Sequence, residues 1–190
     1  MADEIKALNA EQLDAIGEIM NISMGAAATA VSSMLEKQVT ITTPKIEQDK
    51  FSNISVERFE PAIIIKIKYV EGITGTNVIV LRKRDMKVIL DLLMGNDYTQ
   101  VADDFEFDEM SMSAACEVMN QMMGASATAL SEILNRTVSI STPEAQTVDT
   151  IENAEKAWFG DINDSDNVIS IGFNMAISEV MDTTFCSFFT

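Results

Sequence analysis

The chain contains no histidine among its 190 residues. Histidine is the side chain that most readily exchanges a proton near neutral pH. Its absence excludes His-based acid–base catalysis, Ser-His triads and imidazole metal sites together. Cysteine is nearly as scarce. Cys116 and Cys186 are too few for a disulfide framework, and one falls in a helical pattern and the other in a late strand pattern. That suits two buried thiols in a reducing cytoplasm. Basic residues are outnumbered, 13 Lys+Arg against 30 Asp+Glu, for a net charge of -17. Such a surface repels phosphate backbones and anionic lipid, which argues against nucleic-acid and membrane-surface partners. It favours a partner with a basic patch, or it serves solubility alone. No apolar run approaches the ~20 residues that a membrane-spanning helix needs. The acidic opening, "MADEIKALNAEQ", does not read as a secretory signal.

What the chain does have is an ordinary globular hydrophobic content of 47%, and a repetition. Aligned at a constant offset of 99, Glu18–Lys45 and Glu117–Glu144 share 15 identities in 28 positions without a gap. The chain is a duplication, and each half is expected to be one supersecondary unit. In the first half, "LNAEQLDAIGEIMNISMGAAATAVSSMLEKQ" has helical periodicity, with Asn9 and Gln12 placed as a capping box. The short β-branched "VTITTP" follows, expected to end at Pro44. "AIIIKIKYVEG" and "TGTNVIVLRKRD" read as two strands joined by a turn near Glu71–Gly72. "DMKVILDLLMG" reads as a short helix capped by Asp85 and closed by Gly95.

The second half repeats the plan after an acidic connector at about 96–108. A helix is expected over roughly Glu109–Asn135, then strands "TVSISTP", "NVISIGFNMAIS" and "TTFCSFF". A longer polar excursion, "EAQTVDTIENAEKAWFGDINDSD", separates the first of these from the others. The chain ends at Thr190, where a second copy of the short helix is expected; either the protein lacks that helix or the sequence is part of a longer one.

Two α-β-β-β units, about 9–95 and 109–190, cannot each cover a sheet face alone. The expected fold is therefore one α/β domain of the α+β type over residues 1–190. It has pseudo-twofold symmetry and one largely antiparallel sheet of about six strands covered by two long helices. The stretches "GAAATA" and "GASATA" are read as letting each helix approach its neighbour closely.

The opposite helical face carries a matched polar stripe. At 100° per residue, Glu18, Asn21 and Gly25 fall within about 40° of Asp14, while Ile16, Met20, Ala27, Val31 and Met34 lie roughly opposite. The second copy reads Ser113, Glu117, Asn120, and each Asn is followed 23 positions later by a proline, Pro44 or Pro143. Glu is an ordinary residue for a solvated helix face, whereas Asn competes with helical backbone bonding. The stripe is thus either a solvated surface or a duplicated functional site.

Other clusters carry less. "DINDSDN" at Asp161–Asn167 departs from the EF-hand template, with Asp166 at the glycine position and Gly172 at the position of the bidentate Glu, so it reads as a solvated loop. The acidic run Asp103–Glu109 reads as a connector ending in a helix N-terminal turn. Trp158 and Phe159 read as anchors of a polar loop.

The pattern Asp/Ser-x3-Glu-x2-Asn-x22-Pro, present twice over nearly the whole chain, resembles the signature of the CheC/CheX/FliY family of chemotaxis phosphatases. The resemblance implies hydrolysis of the aspartyl phosphate of the response regulator CheY. Asn21 and Asn120 would each place the attacking water, and Glu18 and Glu117 would pair with a basic residue of the regulator. Asp14, Ser113, Pro44 and Pro143 would be supporting positions. No cofactor is implied on this chain, since Mg²⁺ would be held by phosphorylated CheY. The receptor deamidase CheD and flagellar switch proteins are further partners that the resemblance implies, with a cytoplasmic location. The alternative is a CheC-like module of the FliY type, acting mainly in regulator binding or in the structure of the motor switch.

Overall fold

The first element of the computed structural model, α1 (Ala10–Leu35), begins where the capping box was expected. The Asn9 side chain accepts the Gln12 N–H at 2.9 Å, and the Gln12 side chain accepts the Asn9 N–H at 3.0 Å. Its counterpart α3 (Glu109–Leu134) is also 26 residues long and is capped by Asp108, which accepts the Ser111 N–H at 2.7 Å. Both helices end on a left-handed residue, Glu36 at φ 52° and Asn135 at φ 50°. In the last turn of each helix a matched serine ties it to the chain that follows: Ser32 Oγ accepts the Val39 N–H, and Ser131 Oγ the Val138 N–H, both at 2.8 Å. The structure describes residues 7–102, 104–150, 158, 160 and 162–190. Phe159, Asp161 and the start of the acidic run at Asp103 lie outside them.

The two caps differ in one testable respect. Asp108 has a carboxylate pKa held below its ordinary 3.8, first because it accepts the Ser111 N–H. A lowered folded value means that the cap stabilises the fold above the unfolded pKa, and that this contribution is lost as pH falls through the folded one. Asn9 has no such group. Substituting D108N is expected to flatten the fall in melting temperature between about pH 4 and pH 2, measured by thermal melts. An unchanged slope would remove Asp108 from the acid response.

β1 (Val39–Lys50), β2 (Ala62–Glu71), β3 (Gly75–Arg82), β4 (Ser139–Ile140), β5 (Glu144–Val148), β6 (Asn167–Ile177) and β7 (Met181–Phe189) form one sheet. Its order is β1-β6-β7-β3-β2-β4, with β5 also on β2, and every pairing is antiparallel. The halves are interlaced. The first repeat's opening strand β1 lies on β6 of the second, and the second repeat's β4 and β5 lie on β2 of the first. Each unit thus completes the other's sheet edge.

One face of the sheet carries the helices. Ile63, Ile65 and Ile67 of β2, Ile79 and Leu81 of β3, and Ile171, Phe173, Met175 and Ile177 of β6 form a continuous core with Met24, Ala27 and Val31 of α1 and Val118, Met119 and Met122 of α3. The long helices run antiparallel: Val31 lines one small cavity with Val118 and Met122, while Ile16 and Met20 line another with Leu130 and Leu134. The opposite sheet face buries Ile64, Val78, Val80 and Phe188 under Phe51, Val56, Phe59 and Trp158. Trp158 is therefore packed into the core, whereas Phe159, read with it from the sequence, lies outside the described residues.

Several local expectations change. Pro44 does not end β1; the strand runs on to Lys50 across a register shift between Thr42 and Lys45. β1 is an edge strand, where a residue without an N–H is tolerated at a bulge. "TVSISTP" is not one strand but the two-residue β4, and the polar excursion after it opens with β5. The sheet therefore has seven strands rather than six. The short helix α2 (Lys83–Met94) joins the long pair on the same face through Met86, Ile89 and Leu90. It closes at Gly95 as expected but is not capped by Asp85; Arg82 holds the N-cap position without a capping side-chain bond. The Asp85 carboxylate instead accepts a hydrogen bond from Thr183 Oγ1 on β7. Cys186 is buried, but Cys116 is only half-buried.

The small residues that face the core are Ala27, Ala28, Ser126 and Ala127, not the glycines that open each run. Gly25 is exposed and Gly124 half-exposed, and a Cβ added to either meets nothing within 4 Å.

Candidate functional site

On α1 the alternation of buried and exposed residues leaves Asp14, Glu18 and Asn21 in solvent, while Met20, Met24 and Ala27 close the core behind them. On α3 Ser113, Glu117 and Asn120 are exposed in the same way over Val118, Met119 and Met123. Each Asn is the twelfth residue of its helix, counted from Ala10 and from Glu109. That is beyond the first turn, where caps and the helix dipole would account for short polar residues. Among the described residues, no side chain hydrogen-bonds to Asp14, Glu18, Asn21, Ser113 or Asn120. An Asn held in mid-helix with its amide free gives up local backbone bonding for no partner among the described residues.

The copies differ one position beyond each Asn. In α3, Gln121 Nε2 donates to Glu117 Oε1 at 2.9 Å. In α1 the matching residue is Ile22, 53% exposed, so Glu18 has no such neighbour. The first copy also pairs Asp14 with Glu18 at i,i+4, a like-charge arrangement that slightly destabilises a helix until a cation meets it. In the second, Ser113 removes that charge. The aligned sequences contain the Ile22/Gln121 difference, but only the structure shows the bond.

Of the two prolines, Pro143 is buried between β4 and β5, where it shapes the strand break rather than meeting solvent. Pro44 follows the register shift of β1, and its side chain lies outside the described residues.

Both triplets sit on convex helix surfaces. Five cavities among the described residues lie within the core, at the sheet end or on the opposite sheet face, and none of the five is lined by Glu18, Asn21, Glu117 or Asn120. A projecting amide and carboxylate cannot enclose a small molecule. They can enter a cleft that another macromolecule supplies. Among the described residues no group of three or more His, Cys, Asp or Glu could hold a metal ion, and no helix is long and apolar enough to cross a membrane.

Comparison with known proteins points the same way. The model of the CheC-like family matches residues 11–47 and 110–145, the two helices with the strand segments that follow them. The flagellar motor switch phosphatase FliY of Bacillus subtilis is 37% identical over 181 residues. The match takes in 95% of this chain but 47% of that protein, so the chain spans about half its length. The crystal structure of Thermotoga maritima FliY is 35% identical, covers 96% of this chain and 91% of that one, and superposes with a TM-score of 0.85. The FliG–FliM complex of H. pylori, at 14% identity and a TM-score of 0.75, shares the fold over 96% of this chain.

Proposed function

Because the chain belongs to the CheC-like family, alongside the FliY proteins, we propose that it is a phosphatase domain acting on the aspartyl phosphate of the chemotaxis response regulator CheY. One observation carries this reading: Glu-x2-Asn is presented twice, at the same depth of two matched helices, exposed and with no partner for either amide among the described residues.

The chemistry suits those residues. An acyl phosphate is already reactive, so the catalyst has only to hold a water in line with phosphorus. A carboxamide both donates and accepts while staying neutral, and can orient that water without repelling the phosphoryl oxygens. Asn21 and Asn120 would do this after insertion into the regulator's cleft. Glu18 and Glu117 would pair with a lysine or arginine at its rim, fixing the approach. The Mg²⁺ that neutralises the phosphoryl group would belong to the regulator. The chain's own charge of -17 favours encounter with a basic rim.

The work would be done at the cytoplasmic face of the flagellar switch, with switch proteins, and CheD as a further candidate, as other partners. The name and greater length of the Bacillus relative favour that setting. The direct test is phosphate loss from phosphorylated CheY with and without the chain. Retention of the phosphorylated regulator with no faster phosphate loss would leave a binding module, the second reading.

The unequal neighbours of the two glutamates give a smaller prediction. At the second site a docking cation must draw Glu117 from Gln121, a surface i,i+4 contact of about 0.2–0.5 kcal/mol. In an N21A background, where only that site works, Q121I should lower KM about 1.4- to 2.3-fold with kcat unchanged. An unchanged or raised KM would show that the bond does not compete with docking.

A further inference from the structure

Gly25 and Gly124 are the residues for which the fold offers no reason. Each lies four positions after its Asn, on the same helical face. Each is inside a 26-residue helix, far from both ends. Glycine there weakens a helix, because the unfolded chain gains freedom and no side chain shields the backbone. The usual compensation is close approach of a neighbouring element. It is missing here: a methyl group built on either glycine meets nothing within 4 Å outside the helix's own backbone. Gly17, by contrast, faces Ile46, whose Cγ2 would lie 3.6 Å from an added Cβ.

The surroundings are the same in both copies. Thr29 Oγ1 donates back to the Gly25 carbonyl at 3.1 Å, and Thr128 Oγ1 to the Gly124 carbonyl at 3.0 Å. These hydroxyls are turned onto the helix and do not project from it. Beyond each Asn, then, the surface drops to bare backbone at one position, flanked by the exposed Ile22 in α1 and Gln121 in α3. Among the described residues the space is open, and it is kept at both sites.

We infer that Gly25 and Gly124 are access positions: the gap beside each Asn receives a backbone loop of the phosphorylated regulator, which rests on the helix there and lets the amide reach phosphorus. The inference rests on the phosphatase reading and adds to it a specific contact. With a methyl group in the gap, the loop stands off from the helix and the Asn is held short of the reacting water.

The test separates this role from a structural one by the sign of two effects. The G25A/G124A variant should be more stable than the parent, with a melting temperature higher by about 4–8 °C. Its kcat/KM for phosphorylated CheY should nevertheless fall at least ~10-fold. Binding of beryllofluoride-activated CheY, read in parallel, should weaken in step, and it also tests the glycines if the chain binds without hydrolysing. Unchanged turnover and binding in G25A/G124A would overturn the inference, as would loss of activity together with loss of stability. The parent reading fails separately, if phosphorylated CheY is neither bound nor dephosphorylated or if turnover survives removal of both Asn side chains.

Discussion

Changing Asn21 and Asn120 together to alanine is expected to lower the chain's acceleration of phosphate loss from CheY by ~100-fold or more, while either change alone leaves roughly half. The size follows from the task. If the amide's contribution is to place one water in line with phosphorus, misplacement by an ångström removes most of the effect. The halves are duplicated, so one intact site continues to work when the other is lost. The result cannot be attributed to unfolding. Both residues are exposed, no described side chain bonds to either, and alanine is the stronger helix former. Melting temperature should hold or rise slightly in the double variant. Turnover undiminished in N21A/N120A would sink the mechanism, whatever the family.

The active-site proposal was legible because its evidence is local and repeated. Glu18, Asn21, Glu117 and Asn120 stand three apart on helices whose period the sequence states clearly, and the structure leaves all four in solvent. Asn9 and Gln12 were legible for the same reason, since a capping box closes within four residues. Where a residue's partner is distant, the sequence misled. Asp85 looks like a cap until Thr183, 98 residues away, takes its carboxylate. Pro44 looks like a strand terminator until β1 is seen to be an edge strand, where a missing N–H harms no ladder.

The glycines are a subtler case. A helical wheel already places Gly25 on the polar side with Glu18 and Asn21, but the run "GAAATA" invites a packing explanation for every member. The structure divides the run. Ala27 and Ala28 pack into the core, and Gly25 does not. One stretch of small residues is therefore split between core and solvent, and the second copy repeats the split, with Ser126 and Ala127 buried and Gly124 half-exposed. The exposed faces of α1 and α3 agree at Glu18 and Glu117, Asn21 and Asn120, and Gly25 and Gly124, although Asp14 and Ile22 give way to Ser113 and Gln121.

The interlaced sheet makes a second large effect expected, at Gly72. This residue lies in the turn between β2 and β3 with φ +80°, a left-handed conformation that costs an alanine about 1–2 kcal/mol. A Cβ there would also fall almost onto the carbonyl oxygen of Thr137, and 3.2 Å from Val138 Cγ2. Thr137 belongs to the other repeat, at the exit of α3, and it cannot easily move aside. Arg136 N–H is bonded to the Ser131 carbonyl at 3.1 Å, Val138 N–H to Ser131 Oγ at 2.8 Å, and Arg136 Nη1 to the Gly72 carbonyl at 3.2 Å. Adding the cost of forcing backbone apart, about 1–3 kcal/mol, G72A should lose about 2–5 kcal/mol and melt on the order of 10 °C lower. Gly95 is the control. Its φ is similar, +73°, but an added Cβ meets nothing within 4 Å, so G95A should lose only the conformational part. The difference between the two variants, read by denaturant unfolding, isolates the contact. If G72A loses no more than G95A, the hairpin turn of one repeat and the helix exit of the other separate freely, and the interlacing of the halves rests on strand pairing alone.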